Sequence, residues 1–417
     1  MILEINNKRP LHLFEGYGVE MEYMIVHKES LDVLPISDKL LERTAGKIVN
    51  EVSRHGMAWS NELALHVIEI KTDGPATSLQ GLGEIFQQEV QIMDRALEQF
   101  NACLMPGAMH PWMDPFSESK LWPHEYNPIY EAYNRIFNCS GHGWANLQST
   151  HLNLPFFGDE EFARLHAAIR VILPLLSALA ASSPIADGER QDFLSFRMEK
   201  YRLNSIRIPS ITGFIVPEPV FTRRDYEEQI LKKMYRDIAP FDPDSILQEE
   251  WLNSRGAMSR WDRNAIEIRV IDIQEHPKSD IAILEWTAAL AQVLVDEDWS
   301  STDMQKSWSE QDLYTILMDI VKDGERAVIN DQKFLSLFDI ASTKMSAGEL
   351  CAHIEGKLHA AGGISNDSHQ ILQTIFEHGP LARRILNTLP DPFTKEDLYP
   401  VYEQLSDCLK HGKSFIP

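Results

Sequence analysis

The segment "GYGVEMEYMIV" at 16–26 constrains the chain most. Val19, Met21, Tyr23 and Ile25 alternate as a half-buried β-strand requires, and Glu20 and Glu22 fall together on the opposite face. Two carboxylates two positions apart stand roughly 6–7 Å from each other at their α-carbons. They repel, and burial adds a desolvation cost, so the face is either open to water or built around a cation. The two-apart pattern recurs in "THLNL", where His151 and Asn153 share a face, and in "IEIRV", where Glu267 and Arg269 do. Each pair alone fits an exposed strand face. Together they allow one sheet with a polar face of carboxylates, imidazole, amide and guanidinium, a donor set suited to Mg²⁺, with Mn²⁺ as an acceptable substitute, and to phosphate.

Glu62 and Glu69 in "NELALHVIEI" are seven apart, which puts them on opposite faces of a regular strand. Glu62 therefore has to act from a loop or bulge if both serve one site.

Strands without a regular βαβ rhythm indicate an α+β fold, an antiparallel sheet with helices packed on one face. The spacing predicts a helix over "SDKLLERTAGKIVNEVS" with Ser37 as its cap, a strand over "ELALHVIEIKT", a long amphipathic helix from Thr77, and a turn-rich break at "SSPIADGERQ". From about 281 every periodic segment is helical, so residues 1–280 are assigned to a catalytic domain and 281–417 to a helical C-terminal region packed on it or continuous with it. "VILPLLSALAA" at 171–181 is too short to span a bilayer and reads as a buried helix.

The 417 residues suffice for a large core, and the formal net charge of −23 argues against nucleic acid as a partner. Cys103, Cys139, Cys351 and Cys408 are scattered and form no CxxC pair, which suits a reducing cytoplasm. The opening "MILEINNKRPLHLFEG" has no signal-like apolar core, and no membrane partner is expected. GxxxxGK[ST], GxSxG and HExxH are absent, so any bound nucleotide would depend on metal and Arg to hold its phosphates. His110 in "GAMHPW" reads as a turn-stabilising residue and Cys139 as an ordinary thiol.

"GVEMEYMIV", "ELALHVIEIKT", "GAMHPW", "STHLNLPF", "LPLLSALAASSPIADG", "FLSFR" and "AIEIRVIDIQ", taken in order over roughly 14–275, resemble the glutamate–cysteine ligase type 2 family, the carboxylate–amine ligases with a glutamine synthetase-like catalytic fold. The resemblance implies ATP-dependent amide formation through γ-glutamyl phosphate, with glutamate, ATP and cysteine or another small amine as substrates, and it makes a homo-oligomer reasonable. It implies Glu20, Glu22, Glu62, Glu69 and Glu267 as Mg²⁺ ligands, His151 as a metal or nucleotide contact, and Arg269, with Glu267, at the transferring phosphoryl group. It also implies Arg197, Arg260 and Asn153 as substrate or ATP contacts. Met21 interrupts the family's acidic triplet, and "HLN" replaces its more frequent HxH, which leaves Asn153 as a weaker metal donor. The same residues would also serve a Mg-ATP phosphotransferase acting on a guanidino or carboxylate substrate, or a protein that binds metal without turnover.

Overall fold

The computed structural model describes residues 9–417; Met1–Lys8 of the opening segment lie outside the described residues. Its centre is an eight-stranded antiparallel sheet. The strands are β1 (Gly18–His27), β2 (Glu51–Arg54), β3 (Met57–Asn61), β4 (Val67–Thr72), β5 (Ala102–Met105), β6 (Ser149–Pro155), β9 (Ala257–Arg260) and β10 (Ala265–Asp272); β7 (Ile185–Ala186) and β8 (Glu189–Arg190) form a separate small hairpin. The order is β2-β3-β4-β1-β6-β10-β9. β5 shares with β6 the edge of β1 that faces away from β4, pairing at Met24–His27 where β6 pairs at Gly18–Met21.

The α+β architecture follows from the two faces of β1. Val19, Met21, Tyr23 and Ile25 are fully buried, in one cluster with Phe86, Val90 and Met93 of helix Leu82–Leu97 and Ile283, Leu284 and Leu290 of helix Pro277–Val295. That layer removes the largest continuous apolar surface from water. The other face begins with Glu20 and Glu22 and ends with Met24 and Val26, which pack under Leu398, Val401, Tyr402 and Leu405 of the C-terminal helix Lys395–His411. One strand face is thus half site and half core.

Several local expectations are corrected. The helix expected to run from Ser37 past residue 50 ends at Ala45, where Gly46 takes φ +75°, and Ser37 is its first residue with no side-chain capping bond. "EVSR" is instead β2, in a hairpin with β3. His55 and Gly56 at its turn have φ +48° and +88°, the positive values a tight two-residue β-turn of primed type needs. β4 starts only at Val67, so Glu62–His66 is loop. The C-terminal region carries a small two-stranded antiparallel sheet, β11 (Val328–Ile329) with β12 (Met345–Ser346), among its helices.

The 171–181 stretch belongs to a 23-residue helical run, Gly158–Ala180, long and apolar enough to cross a membrane by those criteria alone. Of its most apolar window 94% is buried inside the fold, as a core helix requires. His110 does hold its turn: one ring nitrogen lies 2.7 Å from the Leu31 carbonyl, and Nδ1 accepts from the backbone N–H groups of Trp112 and Met113. Cys139 is buried and unbridged.

β10 carries a bulge. Glu267 pairs with Asn153 and Ile268 with Leu152, but Ile271 pairs with Thr150 and Asp272 with Ser149. The extra residue shifts the alternation, so Asp272 lies on the same face as Ser149 and His151. It accepts there from the Ser182 backbone and from the hydroxyls of Ser183 and Ser195, and it pairs with Arg197.

Candidate active site

Strand register builds the site. On β1, Glu20 faces Lys71 of β4 on one side and His151 of β6 on the other, and Glu22 lies directly opposite Glu69. Like charges in that relation destabilise a sheet. Glu267 of β10 pairs with Asn153 of β6, which pairs in turn with Gly18. A Cβ at Gly18 would lie 2.9 Å from that of Asn153, so the glycine leaves room for the amide.

His151 is the hub. Its Nδ1 lies 2.9 Å from Glu20 Oε2 and 3.8 Å from Glu267 Oε1, and its Nε2 lies 3.7 Å from Glu22 Oε1. Glu22 Oε2 accepts from the Ser149 backbone N–H at 2.7 Å and from its hydroxyl at 3.0 Å. Glu69 accepts from the Ser60 hydroxyl at 2.6 Å and lies 3.1 Å from Lys71 Nζ, which Glu51 shares at 2.8 Å. Asn153 donates to Glu20 at 3.2 Å. Arg269 donates to Glu267 through Nε at 3.1 Å and through a terminal nitrogen, while Arg260 lies 3.9 Å from Glu267 and 2.9 Å from Asp262.

Negative charge exceeds what these cations neutralise. Burial and the Glu20 charge raise the Glu69 carboxyl to about 7, against the opposing pull of Lys71 and Ser60. Burial, together with Glu22 and Glu69, holds Glu62 well above the ordinary carboxylate range. Burial would neutralise Glu20 as well, but the hydrogen bond and charge of His151, with Lys71 and Arg263, bring it down to about 2. Burial disfavours the His151 cation, yet Glu20, Glu22 and Glu267 outweigh that and raise it to about 9.

Two sets of donors, Glu20, His151 and Glu267, and Glu22, Glu69 and His151, each place their ligand atoms within 4.8 Å of one another. Carboxylate oxygens dominate both, the donor type of Mg²⁺ and Mn²⁺, with the single imidazole tolerated better by Mn²⁺. A divalent cation would remove the like-charge conflict between Glu22 and Glu69 that the sheet otherwise bears.

Two clefts meet at this cluster. The larger, about 640 Å³, is lined by Glu22, Glu62, Glu69, His151 and Arg269, and its far wall is aromatic, with Tyr130, Tyr133, Trp144 and Trp251. The smaller, about 370 Å³, lies along Gly16, Gly18, Glu20 and Asn153, and Glu51, Lys71 and Arg263 border both.

The structure thus gathers Glu20, Glu22, Glu69, His151, Glu267, Asn153, Arg269 and Arg260 on one face and brings Glu62 in from its loop. Arg197 differs. It borders the larger cleft but is 2% exposed, and its guanidinium is held by Asp272 at 3.2 Å and by the Arg269 carbonyl at 2.8 Å. Its position braces the backbone that carries Arg269.

Sequence reasoning passed over Ser60, Lys71, Ser149 and the aromatic wall. Lys71 follows Glu69 by two positions and Ser149 precedes His151 by two, so the period-two rule applied to β1 would have reached both. Ser60 sits across from Glu69 on β3, a strand the sequence reading left unassigned between its first helix and "ELALHVIEIKT".

A sequence profile of glutamate–cysteine ligase family 2 matches residues 17–404. An uncharacterised protein of Archaeoglobus fulgidus is 30% identical over 96% of this chain and all of its own length. A protein of Herminiimonas arsenicoxydans with the provisional name glutamate–cysteine ligase 2 is 26% identical over 47% of this chain and 49% of its own. Among solved structures, the glutamate–cysteine ligase of Francisella tularensis in complex with AMP superimposes with a TM-score of 0.58 at 11% identity, covering 97% of this chain and 90% of that one. A bifunctional glutathione synthetase of Pasteurella multocida gives 0.59 at 12% identity, covering 96% and 52%. At these identities the structural likeness establishes the fold.

Proposed function

The chain belongs to glutamate–cysteine ligase family 2 and is an ATP-dependent carboxylate–amine ligase, and we propose that it γ-glutamylates cysteine or another small amine. The observation that carries this reading is the under-neutralised carboxylate cluster, set between two clefts and flanked by arginines.

In the first step a γ-carboxylate oxygen of glutamate attacks the γ-phosphorus of ATP, and the bond to the bridging oxygen breaks to release ADP. In the second the amine nitrogen attacks the acyl carbon of γ-glutamyl phosphate, inorganic phosphate leaves, and the nitrogen loses a proton. An in-line displacement needs its reactants on opposite sides of the transferring group, and two clefts meeting at Glu20 and His151 offer that arrangement.

Glu20, Glu22, Glu69, His151 and Glu267 would hold Mg²⁺, with Glu62 beside them. When bound, Mg²⁺ neutralises phosphate charge. Arg269, fixed on Glu267, presents its remaining donors to the charge that builds on the phosphoryl oxygens, and Arg260 supports it. Asn153 orients Glu20, and Arg197 positions Arg269 through its carbonyl. The aromatic wall of the larger cleft excludes water, which protects an acyl phosphate from hydrolysis. The four free thiols suit a reducing compartment, and we place the enzyme in the cytoplasm.

The test is ADP release with Mg-ATP and glutamate across a panel of amines including cysteine, with mass spectrometry of the product. ADP formation that requires both glutamate and an amine, with a γ-glutamyl amide as product, supports the assignment and names the acceptor. A stable phosphorylated product without an amide would replace it with the phosphotransferase reading.

A further inference from the structure

The larger cleft has two unlike walls. Its five cationic side chains, Lys71, Arg197, Arg260, Arg263 and Arg269, come from the sheet, from the turn between β9 and β10 and from helix Phe196–Tyr201. The aromatic wall comes from helix Asn127–Phe137, helix His142–Ala145 and the turn Glu250–Leu252, and it lines the cleft with Tyr130, Tyr133, Trp144 and Trp251 but no Lys or Arg.

Each of those cations already has an acid. Lys71 is shared by Glu51 and Glu69, Arg197 is held by Asp272, Arg260 by Asp262 and Arg269 by Glu267, while the more exposed Arg263 lies 3.7 Å from Asp262. The reaction brings the α-carboxylate of glutamate and the phosphates of ATP to compete for them. An amino-acid acceptor would add a second carboxylate, with no cation on the aromatic side to receive it. An unpaired carboxylate is costly to desolvate.

The aromatic wall is fixed in place. Tyr133 contacts both indoles, with ring centroids 5.2 Å from Trp144 and 5.9 Å from Trp251. Trp144 Nε1 donates to the Asn204 carbonyl at 3.1 Å and its ring stacks on Phe137, and the Tyr130 hydroxyl accepts from Asn61 at 3.0 Å. Rings held this way lose little freedom when a flat body packs on them. Asn61 leads into Glu62, whose carboxyl has no hydrogen-bond or ion-pair partner among the described residues. An acid at the foot of the wall suits the N–H groups of an amine and opposes a phosphate chain.

We propose, on the ligase reading above, that the acceptor is a primary amine with a flat apolar body and no carboxylate, an arylalkylamine, and that Tyr133, Trp144 and Trp251 set this specificity. The neutral amine attacks the acyl carbon of γ-glutamyl phosphate, the bond from that carbon to the phosphate oxygen breaks, and the proton shed by nitrogen leaves on the phosphate. The product is an N-arylalkyl γ-glutamyl amide.

A set of acceptors tests this in full-length wild type with Mg-ATP and glutamate. Phenethylamine and ethylamine differ by the ring, phenethylamine and phenylalanine by the carboxylate, and cysteine is the reference. The kcat/KM for phenethylamine is expected to exceed those for ethylamine and phenylalanine by about 10–100-fold each, and to exceed that for cysteine, with the γ-glutamyl amide identified by mass spectrometry. Trp251→Leu should raise the KM for phenethylamine about tenfold and leave the KM for ATP in place. Turnover of cysteine equal to or better than that of phenethylamine overturns the proposal. So does a variant whose KM rises for ATP and not for phenethylamine, because the wall would then hold adenine. Hydroxylamine, which traps γ-glutamyl phosphate without needing the wall, reads the ligase reaction separately. Hydroxamate formation without a preference for phenethylamine overturns the acceptor class alone, whereas no hydroxamate and no amide defeats the ligase reading and the proposal with it.

Discussion

Glu275 and Glu69 are both buried glutamates, and their surroundings treat them in opposite ways. Glu275 has one dedicated cation: Arg384 donates to both of its oxygens, at 2.6 and 3.3 Å, with each side chain 1% exposed. Burial pushes its carboxyl up, but Arg384 and His276 outweigh that and the group is lowered. Arg255 with Glu218 repeats the one-to-one pattern. Glu69 must share Lys71 with Glu51, faces Glu22 across the sheet, and is raised to about 7. Glu275 and Glu218 each have a guanidinium to themselves, whereas Glu69 has only a share of one ammonium, an imbalance that a bound cation would relieve.

The largest test of that contrast is Arg384→Met. It leaves Glu275 buried without its partner and should cost about 3–5 kcal/mol in denaturant unfolding, and adding Glu275→Met should recover most of the loss. Glu69→Gln should do the reverse. Removing one of the repelling charges should leave the unfolding midpoint equal or higher, while kcat falls about 10²–10³-fold, worth about 3–4 kcal/mol of transition-state stabilisation. Similar unfolding losses in Arg384→Met and Glu69→Gln would erase the distinction.

The smallest effect reads the scaffold alone. Burial lowers His66 and His110 to about 4 and His166 to about 3, against an ordinary 6.5. The unfolded chain takes up these protons first as pH falls, so the stability the neutral rings allow is complete above 6.5 and declines toward 4. The slope approaches about 1.4 kcal/mol per pH unit for each ring. Urea unfolding of wild type and His66→Gln between pH 7 and roughly 4 should show a shallower decline in the variant.

Much of the site was legible because a strand turns sequence spacing into geometry. Glu20 with Glu22, His151 with Asn153 and Glu267 with Arg269 all share the expected face, and Glu62 occupies the loop that its distance from Glu69 demanded. Loops and helices offer no such rule. Tyr130, Tyr133, Trp144 and Trp251 reach the larger cleft from segments whose own periodicity says nothing about β1. The β2–β3 hairpin was hidden because Leu40, Leu41, Val49 and Val52 continue a helical spacing across Gly46, and only the positive φ values at His55 and Gly56 mark the turn. Arg197 shows the other limit: its cleft position was inferable, its engagement by Asp272 was not, because that depends on the bulge.

That bulge works as a phase shifter in a two-stroke pattern. Before it, odd-numbered residues of β10 share the polar face of the sheet; after it, even-numbered ones do, and a single added residue lets one strand place Glu267 and Arg269 beside His151 and Asp272 against Arg197. Without that slip in register, unbroken alternation from Arg269 would turn Ile271 toward the carboxylate cluster and Asp272 into the apolar layer. A single irregular step thus keeps an acid out of the oil with no change in the spelling of the chain.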